Sequence, residues 1–238
     1  MKNAIQQGSL LDMPALENKE VKPSQPVREK KMSRLEELIT KLCPNGVEYK
    51  TLGELCTIYD GTHQTPKYTT SGVKFVSVEN IDDLYSSKKY ISIEDYEKNY
   101  KIKPQKNDIF MTRIGTIGYC TVVNGSEPLA YYVTLTLIRP NQDEIISKYV
   151  KYIIESKHGR KELWKRTLVN ASPIKINLGE IGKIKIPVPP LPIQEEIVRI
   201  LDAFSELTAE LTAELTAELA KRKQQYQYHS KCFIENYS

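Results

Sequence analysis

From Ile193 to Ser238 the chain has neither glycine nor proline, and within that stretch Thr-Ala-Glu-Leu occurs three times without variation, from Thr208 to Leu219. Ala, Glu and Leu are strong helix formers, so one long helix is the only regular structure this segment can adopt with ease. At about 3.6 residues per turn, each four-residue copy carries its Leu about 40° further round the helix, and three copies extend it by about 18 Å. Upstream, Ile193, Ile197, Ile200, Leu201 and Phe204 follow i, i+3, i+4 spacing and run into Leu207, Leu211, Leu215 and Leu219. Such a stripe needs a cover. A partner helix is the economical one, and it is preferred here to a solvated surface helix. An exact repeat also suits a spacer, because adding or removing a copy changes length without changing character.

The helix leaves a body ahead of it to explain. Residues 1–32 show no sustained period and hold Pro14, Pro23 and Pro26 among polar residues, as expected of a flexible arm or of an extension ahead of Met32. Ser33-Arg34-Leu35-Glu36 is a capping-box pattern that opens a short helix to Leu42, and Cys43-Pro44-Asn45-Gly46 ends it. Thr51 to Cys56 suggests another helical turn, and Asp60 to Tyr68 is a polar, punctuated loop. Short β-branched and aromatic runs then predict strands over 73–78, 108–113, 118–123, 131–139 and 184–188. Helices are expected over 93–98, 145–155 and 160–165, and a tight turn at Gly115 and Gly118. Pro187, Pro189, Pro190 and Pro192 form a stiff extended hinge before the long helix. The class expected is α+β: a globular domain over 33–190 with a mixed, twisted sheet, then a helical region over 191–238 that pairs as an antiparallel coiled coil.

Chemistry bounds the function. No apolar run approaches the roughly 18 residues of a membrane span, and the N-terminus lacks the apolar core of a secretory signal. The four cysteines (Cys43, Cys56, Cys120, Cys232) are far apart, without metal-ligand spacing, and read as free thiols of a cytoplasmic protein. A phosphate-binding Gly-rich loop, GxSxG and HExxH are all missing, as is the Asn/Asp-Pro-Pro-aromatic motif of an adenine methyltransferase. His63, His158 and His229 are scattered. Neither a catalytic residue nor a metal ligand is assigned.

Basic residues are better organised. Between Lys148 and Lys185 there are ten basic side chains against three acidic ones, a local excess of seven in a chain whose net charge is +4. A patch of this kind would neutralise phosphates and bind DNA with steep salt dependence, although charge runs alone are usually solvated faces. Candidate DNA contacts accompany it. They are His63, Gln64, Thr65, Lys67 and Tyr68 on one loop; Thr112 and Arg113 before the glycine turn; and Asn170, Ser172 and Lys175 on a third segment. Lys165 and Arg166 are expected on phosphates, and Gln64, Lys67 and Arg113 at base edges or positioning contacts, since Gln can pair with adenine and Arg or Lys with guanine in the major groove.

From about Ser33 onward the chain resembles the specificity subunit of Type I restriction-modification systems. The resemblance rests on Leu52-Gly53-Glu54-Leu55, the loop Gly61 to Pro66, Asp108 to Gly115, the run Ile186-Pro187-Val188-Pro189-Pro190-Leu191-Pro192-Ile193-Gln194-Glu195-Glu196, and the repeat array. It implies a target recognition domain reading half of a split site in double-stranded DNA, and a helical region that docks the modification and restriction subunits. S-adenosylmethionine would belong to the modification subunit, and this chain would hold no cofactor. The array would act as a ruler for the gap between half-sites. A full-length subunit carries two recognition domains and two helical regions, whereas this chain shows one of each. Two copies, paired through their helices, would restore the whole and read an interrupted palindrome. The rival readings are a methyltransferase or nuclease fused to a helix, and a coiled-coil adaptor that does not bind DNA.

Overall fold

In the computed structural model the backbone is described for residues 32–237 and side chains for residues 32–234, so all of the expected arm but Met32 lies outside the described residues. The first helix, α1 (Arg34–Leu42), starts at the predicted capping box: the Ser33 hydroxyl accepts from the Glu36 N–H, and the Glu36 carboxylate accepts from the Ser33 N–H at 2.7 Å. Strand β1 (Tyr49–Thr51) follows and pairs antiparallel with β10 (Lys185–Pro187), closing the body across most of its length. Helix α2 (Leu52–Leu55) is a single turn. Glu54 accepts from both the N–H and the hydroxyl of Thr51, and Leu52 and Leu55 are buried.

Two four-stranded sheets form the centre. The first has the order β2 (Cys56–Asp60), β9 (Leu135–Pro140), β6 (Ile109–Thr112), β7 (Cys120–Val122), all antiparallel. The second has the order β3 (Tyr68–Thr69), β5 (Tyr90–Ile91), β4 (Val73–Val76), β8 (Leu129–Tyr131), with β4 and β8 parallel. Strand β6 shows how the layers stack. Ile109 and Met111 point into a core shared with α4 (Ser147–Glu155), α5 (Lys157–Arg166) and α6 (Leu178–Gly182), while Phe110 points into a core shared with the second sheet. A strand covered on both faces needs apolar residues at every position, which is why Ile-Phe-Met and Leu-Thr-Leu-Ile show no alternation. The remaining helix of the body, α3 (Ile93–Asn99), packs Tyr96 beside Tyr100 in a third cluster under the second sheet.

The mixed α+β class agrees with expectation, with several local differences. The single strand expected over 131–139 is two, because the chain crosses from the second sheet to the first at Tyr132 to Thr134, where the Leu135 N–H bonds the Tyr132 carbonyl. The strand expected over 73–78 stops at Val76, where Asn80 accepts from the Ser77 N–H and starts a 3-10 turn. Strands β1, β2, β3 and β5 have no counterpart among the expected strands, nor α6 among the expected helices; all are five residues or fewer, too short to show a period.

Helix α7 (Leu191–Tyr237) extends about 70 Å at 1.5 Å per residue. Its root is fixed by Gln194, which is fully buried: its amide donates to the Glu144 and Pro189 carbonyls at 3.0 and 2.8 Å and accepts from the Ile146 N–H at 3.0 Å. Glu196, also buried, bonds Arg199 and faces Arg34 of α1; the Arg199 hydrogen bond, opposed by desolvation, holds its carboxyl below the usual range. Ile193 is buried against the chain's own body, and Ile197 packs on the same core. The partner-helix assignment is corrected at Ile193 and Ile197: their cover is internal. From Ala203 to His229 the helix is exposed throughout, with Phe204 at 64% and Leu207, Leu211, Leu215 and Leu219 all open.

Candidate DNA-recognition face

Strand register places four strand ends together. Asp60 ends β2 opposite Thr136, Thr112 ends β6 opposite Leu135 at the start of β9, and Cys120 starts β7 opposite Met111. Segments 61–67, 113–119 and 132–134 therefore leave the same end of the first sheet. A fourth segment, 167–176, joins them: Ile176 N–H bonds the Arg113 carbonyl at 3.0 Å, and Gly115 N–H bonds the Ile174 carbonyl at 2.9 Å. Gly115 and Gly118 both have φ near +83°, so the predicted turn does use backbone that only glycine adopts freely.

Arg113 ties this end together. The residue is 6% exposed, and its guanidinium donates to the Val133 carbonyl (3.1 Å), the Ile176 carbonyl (3.1 Å) and Asp60 Oδ1 (2.8 Å). One side chain thus joins the last residue of β2 and the segments following β8 and α5 to the end of β6. The expectation that Arg113 meets a base edge is corrected, because its donors are turned to acceptors within the protein. Thr112 is corrected likewise: it is fully buried, and its hydroxyl accepts from the Tyr119 N–H at 3.1 Å. An Arg followed by Ile-Gly reads as exposed from sequence, yet the sheet end folds over it.

The other loop candidates are outside. His63, Gln64, Thr65 and Lys67 lie on the 61–67 loop with surface access, and the loop is braced where Thr62 exchanges backbone hydrogen bonds with Tyr131 and Val133. Tyr68 is half-exposed on β3 with its ring edge-on to Phe75. Asn170, Ser172 and Lys175 sit on the 167–176 segment, again at the surface. The structure therefore brings the accessible members of both loops to one sheet end.

The phosphate candidates divide. Lys165 and Arg166 both pair with Glu162, at 2.6 and 2.8 Å, and the Lys165 hydrogen bond is the main cause that lowers the Glu162 pKa. Arg166 is half-buried and bonds the Glu162 and Lys183 carbonyls as well. Lys165 keeps more than half of its side chain in solvent. Elsewhere in the basic segment Lys148 pairs with Asp202, Lys151 with Glu155 and Lys183 with Glu180. Lys157, Arg160, Lys161, Lys175 and Lys185 form no ion pair among the described residues, and of these Lys175 lies on the 167–176 segment itself.

A feature that sequence reasoning passed over lies beside them. Trp164, 62% exposed, shares a groove of about 550 Å³ with Tyr119, Ile117 and Ile174, and Arg160 lies over the Tyr119 ring at 5.0 Å. Trp164 is the chain's one tryptophan and sits in a run of cations, which was the available signal. Asp60 was also missed as a site residue; polar loops are full of Asp, and only its position opposite Arg113 gives it a role.

Comparison with known proteins settles the family. Residues 44–221 match the model of the Type I restriction modification DNA specificity domain. The chain belongs to that family. The match takes in both sheets, the hinge and the whole repeat array. A putative type I restriction enzyme specificity subunit of Haemophilus influenzae is 52% identical over 151 residues, which are 61% of this chain and 37% of that protein. The putative MjaX specificity subunit of Methanocaldococcus jannaschii is 33% identical over 107 residues, covering 42% of this chain and 24% of that protein. The matched stretches thus span 37% and 24% of these curated relatives. Among solved structures, a chain of a type I R-M system described in terms of complex assembly and conformational transition aligns at a TM-score of 0.59 and 23% identity, over 75% of this chain and 44% of that one. The HsdS subunit of Thermoanaerobacter tengcongensis aligns at 0.54 and 19% identity, over 74% and 44%. These two likenesses concern the fold. Both curated relatives are named as specificity subunits, in keeping with the family match.

If Arg113 holds the sheet end together, Arg113→Ala removes the charged donor to the Asp60 carboxylate and the side-chain donor to two carbonyls. We expect a loss of about 2–4 kcal/mol in urea unfolding, with proteolysis appearing first in 61–67 or 167–176. Unchanged stability together with intact loops would remove Arg113 from this role.

Proposed function

We propose that this chain reads one half of a split site in duplex DNA with the loops at the end of the first sheet, and pairs with a second copy through α7 to read an interrupted palindrome. One observation carries the reading. Two loops about a hundred residues apart, both with accessible polar and basic residues, adjoin one sheet end, where a buried guanidinium ties the second loop to the strand from which the first one leaves. Base reading needs side chains held to a fraction of an ångström on a stiff support, with phosphate contacts beside them. Lys157, Lys161, Lys165 and Lys175 supply the latter, and the modification and restriction subunits would dock on the helical region. The division into an arm over 1–32, a recognition domain over 33–190 and a helical region over 191–238 is part of the proposal. So are the absence of a cofactor on this chain, with S-adenosylmethionine on the modification subunit, and work in the cytoplasm, where the DNA is.

Gel-shift titration of the purified chain against duplex DNA at several salt concentrations tests the reading. Lys161→Ala and Lys175→Ala should weaken binding to all sequences alike and flatten the slope of log K against log salt by about 0.9 per lost contact. Gln64→Ala should instead cost about 1–3 kcal/mol on the preferred site and relax one base position. An unchanged salt slope in the lysine variants would refute the phosphate assignment, and failure of the chain to retain duplex DNA would refute the whole reading.

The protruding part of α7 supports pairing. Thr208, Thr212 and Thr216 each donate their hydroxyl to the carbonyl four residues back at 2.7 Å, which leaves methyl groups outward beside Ala209, Ala213 and Ala217. The helix thus carries a Leu ridge next to a shallow apolar groove of about 1060 Å³, complementary shapes for a second copy. Leu211→Lys with Leu215→Lys places two charges at that seam and should yield monomers in sedimentation at micromolar concentration. A dimer that persists in the double variant, or a monomeric parent chain, overturns the pairing.

Length is the second property of the array. Each copy adds about 6 Å of helix and about 40° of rotation, nearer to two base-pair steps than to none at about 3.4 Å per step. Deleting Thr216 to Leu219 should keep both half-sites and shorten the unspecified gap, read as the methylated motif in cells that carry the variant with its modification subunit. An active complex with an unaltered gap would show that the array only stiffens the helix.

A further inference from the structure

Asp60 is bonded by three donors from three directions, and one of them is the imidazole of an exposed loop residue. We propose that Asp60 fixes His63 in the tautomer with its proton on Nε2, so that the outward Nδ1 is an acceptor reading the exocyclic amino group of adenine or cytosine in the major groove. The inference rests on the reading of this sheet end as a DNA-recognition face.

The carboxylate cannot turn. Oδ1 accepts from the Gly61 N–H at 3.0 Å and from Arg113 Nη2 at 2.8 Å, and Arg113 is itself held by the Val133 and Ile176 carbonyls. Oδ2 is thereby left for His63 Nε2, at 2.9 Å. A carboxylate oxygen only accepts, so Nε2 is the nitrogen that bears hydrogen. In the neutral imidazole with its hydrogen on Nε2, the second ring nitrogen, Nδ1, is an acceptor. Nδ1 has no hydrogen-bond partner among the described residues, and the side chain is 69% exposed. Loop geometry supports the presentation, because the Gln64 N–H bonds the Thr62 hydroxyl and Thr62 is anchored to the neighbouring strand connection. In the major groove the amino groups of adenine and cytosine donate, whereas guanine O6 and N7 and thymine O4 only accept. A fixed acceptor therefore favours the first pair at the position it faces and disfavours the second. Asp60 and Arg113 are positioning residues in this scheme.

Asp60→Asn distinguishes it from a purely structural role. Gly61 N–H and Arg113 both need an acceptor, so the new amide keeps its oxygen there and turns its NH2 toward His63. Nε2 must then accept, the proton moves to Nδ1, and the residue presents a donor. The full chain is used to select from a library of randomised duplexes, and the bound fraction is sequenced. The unmodified chain should enrich adenine or cytosine at one position; Asp60→Asn should shift that position toward guanine or thymine; His63→Ala should lose about 3- to 10-fold discrimination there and leave the rest of the site alone. His63 is exposed, so its variant remains decisive even if Asp60→Asn fails to fold. Selection by His63→Ala identical to that of the unmodified chain overturns this inference and leaves the recognition face standing. No sequence enrichment by the unmodified chain overturns both.

Discussion

A guanidinium buried at the end of a sheet is the constraint from which the rest of this structure follows. Removing Arg113 from water is costly, and the cost is offset only because its donors find three acceptors and Asp60 supplies the opposing charge. Lysine could not replace it, since three acceptors from three connections need a planar fork rather than a point charge. The opposite end of the same sheet repeats the device. Arg139 donates bidentately to the buried Asp108 at 2.8 and 2.7 Å and reaches the Lys103 carbonyl; the Asp108 hydrogen bond is the main cause raising its pKa. Polar clamps at both ends let the middle of the sheet be apolar on both faces.

Much of the architecture is legible in the sequence because it rests on short-range rules. The Ser33 capping box, the glycine turn at Gly115 and Gly118 and the unbroken helix after Pro192 all state local backbone preferences, and each appears where expected. The sites fare differently because burial is a property of the whole fold. Thr112 and Arg113 look like an exposed pair before a turn, but the 167–176 segment, fixed by residues far along the chain, closes over them. Ile193 and Leu211 share one periodic stripe, yet only the first meets the body. Periodicity identifies which residues want cover; it carries no record of what covers them.

Helix α7 carries one apolar pattern through two settings. Its first turns are part of the domain: Gln194 completes the hydrogen bonds of the Glu144–Ile146 connection, and Asp202 receives the Tyr152 hydroxyl and Lys148 at 2.6 Å each. From Ala203 onward the helix is exposed, and within two turns its composition changes from irregular to strictly repeated. A domain surface is irregular, so residues that pack on it must be individually fitted. A helix that packs on another helix meets a regular lattice of ridges and grooves, and a repeat is then the natural solution.

The placement of root and loops separates two kinds of variation. Gln194 bonds to residues that follow β9, at the end of the first sheet away from the 61–67 and 167–176 loops, while the exposed candidates leave from the end clamped by Arg113. Exchanging Gln64, Lys67 or Asn170 alters what the face presents while the buried clusters beneath stay whole. Adding or deleting a copy of the repeat alters reach and leaves every bond at the root intact. Because the sheet between them is packed on both faces, it holds the loops in a fixed frame relative to the first turns of the helix. Residue exchange in the loops and changes of repeat number in the helix can then vary independently, which requires a stiff body between two tolerant ends.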